Sequence, residues 1–130
     1  MPLVRIDVIE GRRNPDQLRT LADAVHEVML GQFAAPDRDR YQIITEHKPH
    51  HIIVEDTGLG FTRSDDVVVI QILQQGRTDQ QKKDTYRALA EGLESATGLN
   101  PADLIISVTG NSRADWSFGY GVAQFLEGNL

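Results

Sequence analysis

The feature that most constrains this chain is an internal repeat. A strand-like stretch, a Gly-Arg pair, a capped helix and a second strand-like stretch occur twice, about 64 residues apart. In the first half, Val4, Ile6 and Val8 alternate with Arg5 and Asp7 across Leu3 to Ile9, the period of a strand with two unlike faces. Gly11-Arg12-Arg13 follows. Asn14, Pro15 and Gln17 then supply an N-cap, a first-turn proline and a capping-box partner. The predicted helix runs to Phe33, with Leu18, Leu21, Ala22, Val25, Val28 and Met29 on one face. Pro36 breaks it, and Tyr41 to Thr45 reads as the second strand.

The second half repeats the order. Val67 to Leu73 is a near-continuous β-branched run, which predicts a central strand buried on both faces. Gln74-Gln75-Gly76-Arg77 reads as a short loop. Thr78 caps a second helix, with Gln81 at the capping-box position and Gly98 as its stop. Tyr86, Leu89, Ala90, Leu93 and Ala96 make its expected apolar face, and Leu104 to Val108 is the fourth strand. Between the halves, Ile52 to Val54 suggests a short strand and Asp56 to Gly60 a turn. The glycine- and aromatic-rich tail after Val108 reads as loop with a short hairpin.

Two β-α-β units predict an α/β (α+β) fold in which a four-stranded mixed sheet carries both helices on one face. The expected organisation is one domain over residues 1–130, with pseudo-repeats 2–65 and 66–130. The uncovered sheet face then needs a partner, most simply another subunit.

Composition narrows the function. With 40% apolar and 25% charged residues, and no apolar run near the ~18 residues of a membrane span, the chain reads as a soluble globular protein. It has no cysteine and its start lacks a secretory pattern, so a cytoplasmic location is expected. A net charge of −6 argues against nucleic-acid partners, while a local arginine still admits an anionic small molecule.

Several side chains carry possible chemistry. Pro2 follows Met1, and removal of the methionine would leave a secondary amine, whose reference pKa is about 7.7–8.0. Such an amine transfers protons near neutral pH; the plainer reading is a proline that starts an edge strand. Arg77 stands beside a helix N-terminus, where anions are already favoured. Its alternative is a solvated loop position. Asp39, between Arg38 and Arg40, reads equally as a surface ion pair. His26 sits at the edge of the first helix's apolar stripe as a packed or exposed residue. His47, His50 and His51 lack a metal-ligand spacing and read as a polar loop, and the Gly58-x-Gly60 and Gly119-x-Gly121 pairs lack a dinucleotide-loop context. No metal or cofactor is expected.

The opening strand with its Gly-Arg, DRDRYQI (37–43), EDTGLGF (55–61), VVVIQIL (67–73) and DWSFGYGVAQFLEGNL (115–130) together resemble the tautomerase superfamily, most closely its malonate semialdehyde decarboxylase-like branch. The resemblance spans nearly the whole chain. It implies a trimer of tandem β-α-β subunits in which the N-terminal proline, here Pro2, lies at the bottom of a pocket. It also implies that Asp39 pairs with that proline and that Arg77 binds a substrate carboxylate. Trp116, Phe118, Phe125 and Leu130 would wall the pocket. Where the decarboxylase pattern has a first arginine this chain has Gln75, which can hydrogen-bond a carbonyl but supplies no fixed cation. The expected function is therefore cofactor-independent keto–enol tautomerisation of small oxo acids with Pro2 as general base. The alternatives are a decarboxylase or hydratase using protonated Pro2, and a noncatalytic trimeric protein that binds a small ligand.

Overall fold

The computed structural model of the chain describes residues 2–130. Its strands are β1 (Leu3–Ile9), β2 (Tyr41–His47), β3 (Val68–Gln75) and β4 (Leu104–Asn111), and its long helices are α1 (Pro15–Phe33) and α2 (Asp79–Thr97). The sheet order is β2-β1-β3-β4. β1 runs parallel to β2 and β3 parallel to β4, while β1 and β3 meet antiparallel at the centre. This is the expected mixed sheet of two β-α-β units.

Local chemistry sets the helices. The Asn14 side chain accepts the Gln17 N–H at 2.8 Å, and the Gln17 side chain accepts the Asn14 N–H at 2.9 Å. Thr78 and Gln81 repeat the device on α2 at 3.1 and 2.9 Å. Both helices end on a left-handed residue, Ala34 (φ 51°) and Gly98 (φ 74°). Val4, Ile6, Val8, Val68, Ile70 and Ile72 point from the sheet into the helices and are buried against Leu21, Val25, Met29, Leu89 and Leu93. That single apolar layer holds both helices on the same side. At Gly92 an added Cβ would stand 3.3 Å from Val28 Cγ2, so α2 approaches α1 closely there.

The structure departs from expectation at several places. Ile52 to Val54 is not a strand; a single 3₁₀ turn, Pro49–His51, is followed by irregular chain. Gln74 and Gln75 are not loop but the last rungs of β3, paired with Gly110 and Asn111 of a longer β4. The tail forms a 3₁₀ turn at Arg113–Asp115 and further turns, not a hairpin. β3 is buried on its helix side only, with Gln71 exposed on the other. On α2 the buried positions are Thr85, Leu89 and Leu93, and Tyr86 lies at the surface. His47 belongs to β2, where its Nε2 lies 2.6 Å from Asp7 Oδ1. The sheet face away from the helices carries Ile43, 43% exposed. Among the described residues no helix is long and apolar enough to cross a membrane.

Candidate active site

The antiparallel centre of the sheet brings the start of β1 beside the end of β3, and the parallel pairs bring the start of β2 and the end of β4 to the same edge. Pro2, immediately before β1, is buried at this end. Asp39, Gln75 and Arg77 stand at the same end of the sheet, before β2, at the end of β3 and just after it. Asp39 lies two residues before Tyr41, which pairs with Leu3. It is 6% exposed, so the surface-ion-pair reading does not hold, and its backbone N–H donates to the Pro36 carbonyl at 2.9 Å.

On the helix-free side of the same end is a cavity of about 370 Å³, lined by Leu3, Tyr41, Leu73, Asn111, Asp115, Trp116, Ser117 and Phe118. Its wall is a continuous aromatic stack. Phe118 lies 5.4 Å from Trp116, 5.6 Å from Tyr41 and, edge to face, 5.5 Å from Phe125. The Trp116 indole N–H donates to Asn111 Oδ1 at 2.8 Å, which fixes the stack to the end of β4. Asp115 accepts the Ser112 backbone N–H at 2.7 Å and its hydroxyl at 3.0 Å, and these donors hold its carboxyl below the usual range. A negative charge therefore stands on the rim of an apolar slot.

Arg77 lies on the helix side of this end. Its guanidinium carbon is 5.2 Å from the centre of the Phe33 ring, and Nη1 donates to the Gln75 and Gly76 carbonyls, each at 3.2 Å. These long bonds to its own loop hold the fork loosely. Gln75 is half-buried and pairs with Asn111. Leu130 is 57% exposed, and its carbonyl accepts from Arg113 Nη2 at 3.5 Å. Arg113 itself stacks over Phe125 at 4.9 Å. Within one chain, then, Trp116, Phe118 and Phe125 come together, whereas Arg77 and Leu130 do not line the cavity. Sequence reasoning missed Tyr41 and Asn111 as parts of the wall. The strand register is what places them there.

A larger cavity, about 740 Å³, opens at the opposite end of the sheet. Several of its polar groups are tied to neighbours, while Arg13 Nη1 is buried with no hydrogen-bond partner among the described residues. Arg12 pairs with Asp66 at 2.8 Å and holds that carboxyl below its ordinary range, and Arg13 Nη2 donates to the Asp66 carbonyl at 2.9 Å. Burial pushes the Arg13 guanidinium pKa down. Arg63 donates to the Ala102 and Glu55 carbonyls at 2.6 and 2.8 Å. Asp103 accepts the backbone N–H and hydroxyl of Ser64 at 2.6 and 2.7 Å.

Two family patterns, each described as tautomerase enzyme, match this chain over residues 39–119 and 2–62. Probable tautomerase YrdN of Bacillus subtilis is 49% identical over 130 residues, the full length of both chains. The chain belongs to the tautomerase superfamily. Among solved structures of this superfamily, a malonate semialdehyde decarboxylase is 41% identical, covers 98% of each chain and superposes with a TM-score of 0.95. That enzyme is described with decarboxylase and hydratase activities. A second decarboxylase, inhibited by 3-bromopropiolate, is 45% identical over 98% of this chain and 97% of its own, with a TM-score of 0.93. A fused 4-OT forming a symmetric trimer is 18% identical, covers 92% of this chain and 94% of its own, and has a TM-score of 0.74, a likeness of fold alone.

Proposed function

We propose that this chain is a cofactor-independent tautomerase acting on small oxo acids, with the free nitrogen of Pro2 as its general base. The observation that carries the reading is the burial of Pro2 at the sheet end that also holds buried Asp39 and the aromatic cavity. A secondary amine walled off from water loses part of the solvation of its charged form, which favours the neutral base. Neutral Pro2 removes a proton from the carbon beside the substrate carbonyl, electron density moves to the carbonyl oxygen, and the proton returns at the other site. Arg77 exchanges its loose carbonyl contacts for the substrate carboxylate, a stronger and bidentate acceptor. Gln75 hydrogen-bonds the carbonyl, and Trp116, Phe118, Phe125 and Leu130 close the pocket within a cytoplasmic homotrimer whose subunits meet through the open sheet face. The symmetric trimer of the fused 4-OT, a protein alike in fold, supports that assembly.

A second reading has its own support. Identity of 41–45% to malonate semialdehyde decarboxylases, together with a buried carboxylate at Asp39, favours a decarboxylase or hydratase in which Pro2 stays protonated. The two readings predict opposite pH limbs. Base catalysis needs the neutral amine, so kcat/KM rises with pH through the Pro2 titration; the protonated-proline reactions lose rate over the same range. The test starts with intact mass to establish that Pro2 is terminal. Ketonisation of phenylenolpyruvate and release of carbon dioxide from malonate semialdehyde are then measured on the native protein and on Pro2→Ala. A fall of about 10²–10⁴-fold in ketonisation on Pro2→Ala supports the tautomerase. Turnover of malonate semialdehyde alone supports the second reading. Inertness toward both leaves a noncatalytic ligand-binding protein.

A further inference from the structure

Gln74 has no role in the reaction as described, yet its position is unusual. The residue is wholly buried, and neither Oε1 nor Nε2 of its side chain has a hydrogen-bond partner among the described residues. A buried amide left unmatched is among the more destabilising features a core can hold, and in a native fold it calls for a cause.

The register supplies one. Leu3 pairs with Leu73 across the antiparallel centre of the sheet, and that register carried one residue further puts Gln74 opposite Pro2. Both belong to the helix-facing rows, Pro2 with Val4 and Ile6, Gln74 with Ile72 and Ile70. Side chains so placed have Cβ atoms about 4.5–5.5 Å apart, within reach of a glutamine amide. While a residue precedes Pro2, the proline nitrogen is a tertiary amide with no hydrogen to donate. Once the nitrogen is terminal it carries one N–H when neutral and two when protonated. The missing donor for Gln74 is thus created by the same processing that creates the amine.

We infer that Gln74 is a positioning residue for the terminal nitrogen of Pro2, its amide oxygen accepting one of the N–H bonds. That contact favours the protonated amine and fixes the orientation of the remaining N–H or lone pair. The inference rests on the reading of Pro2 as a free terminal amine. Other charged groups at this end include Asp37, Arg38 and Asp39 before β2, Arg77 after β3, Arg113 and Asp115 after β4, and Arg40, which is already bound to Gln42 and Asp23 at 2.9 and 2.7 Å. None of these lies on the rung that Gln74 shares with Pro2.

The test compares four proteins: the form with Pro2 terminal and a form with an N-terminal extension that keeps Pro2 acylated, each with and without Gln74→Met. Methionine keeps the length of the side chain and removes the amide. In the acylated form the substitution is expected to raise the thermal midpoint, because an unmatched polar group is gone. In the terminal form, where Oε1 has gained a donor, that gain shrinks, and the Pro2 pKa, followed by NMR of its nitrogen, falls by about one unit. Gln74→Glu moves the pKa the other way and keeps the question open to decision if the methionine variant folds poorly. Equal midpoint shifts in both forms with an unmoved Pro2 titration overturn the inference. Coupling present in an enzyme indifferent to Pro2→Ala keeps the Gln74 contact and removes the catalytic reading. Activity dependent on Pro2 without coupling does the reverse.

Discussion

Replacing Asp103 with alanine should loosen the whole connection between β2 and β3. The Asp103 carboxylate is 4% exposed and receives two short bonds from Ser64, one from the backbone N–H at 2.6 Å and one from the hydroxyl at 2.7 Å. Hydrogen bonds to a charged acceptor contribute about 1.5–3 kcal/mol each. Truncation also strands the Ser64 N–H, although the loop can open toward water and recover part of that loss. A net destabilisation of about 3 kcal/mol follows, a large share of the roughly 5–15 kcal/mol that holds a domain of this size. With a urea slope of about 2 kcal/mol per molar, the unfolding midpoint should fall by about 1.5 M. Asp103→Asn keeps one acceptor oxygen for the backbone N–H and should lose only about 1 kcal/mol. The measurement is urea unfolding followed by far-ultraviolet circular dichroism at one fixed protein concentration, because self-association shifts apparent stability. A shift below about 0.5 M for the alanine variant, or an asparagine variant as damaged as the alanine one, refutes the argument that this carboxylate anchors the loop.

Other expectations follow from single contacts. Phe118→Ala removes three ring neighbours and should lower stability by about 1–2 kcal/mol. It should also red-shift the emission of Trp116, the single tryptophan, and unchanged emission would contradict the stack. Ala34→Gly relieves a left-handed alanine at the end of α1 and should raise the thermal midpoint by the equivalent of about 0.5–1 kcal/mol; a lower midpoint would show that the cap is not strained. Asp23, Asp56, Asp66 and Asp115 all titrate below their ordinary range. Arg40 holds Asp23 down, the Gly58 and Gly60 N–H groups hold Asp56, Arg12 holds Asp66, and Ser112 holds Asp115. Their stabilisation is present above about pH 4 and is lost as pH falls through the folded values, so urea midpoints should drop below that pH. Midpoints flat from pH 6 to pH 2 would contradict it.

The fold was legible where its determinants are local. Alternation in β1 and the paired capping boxes at Asn14 and Thr78 need no tertiary information, and they brought out the repeat. Two of the misjudged stretches share one cause. Gln74 and Gln75 look like loop, and Gly110 and Asn111 look like tail, because each pair is polar or flexible taken alone. Together they are two rungs of one ladder, and each supplies the hydrogen bonds that make the other a strand. The Trp116–Asn111 bond that secures the cavity wall depends on that extension and was invisible with it. Thr85 takes a buried place on α2 for a similar reason: its hydroxyl is satisfied by the Gln81 carbonyl at 2.8 Å, which composition does not reveal. Pro2 stood out as a possible terminal amine, but its proposed pairing with Asp39 and the aromatic residues came from resemblance, since their convergence requires the crossovers of the whole sheet.

The repeat also explains why the larger cavity need not be the site of chemistry. At the spacing that relates the halves, Pro2 corresponds to Asp66, Arg77 to Arg13, and Asp39 to Asp103. The two ends of the sheet are therefore duplicates of one design, with the larger cavity at one end and Pro2, Asp39 and Arg77 at the other. At the duplicate end the chain runs on through Asp66, so a proline amine has no equivalent, and the remaining partners have turned to each other. Arg13 reaches the Asp66 carbonyl and Asp103 clasps Ser64, whereas Arg77 has two long bonds to its own loop and a stack on Phe33. Two arginines in matching positions should then have opposite phenotypes. Arg13→Ala should lose about 1–2 kcal/mol of stability, from a half-buried hydrogen bond and a packed stem, with turnover unchanged. Arg77→Ala should leave the unfolding midpoint nearly in place and reduce kcat/KM by about 10²-fold, the scale of removing one charge-stabilising donor. If both variants lose activity alike, or both lose only stability, the two ends have not divided their labour and the assignment of chemistry to the Pro2 end fails.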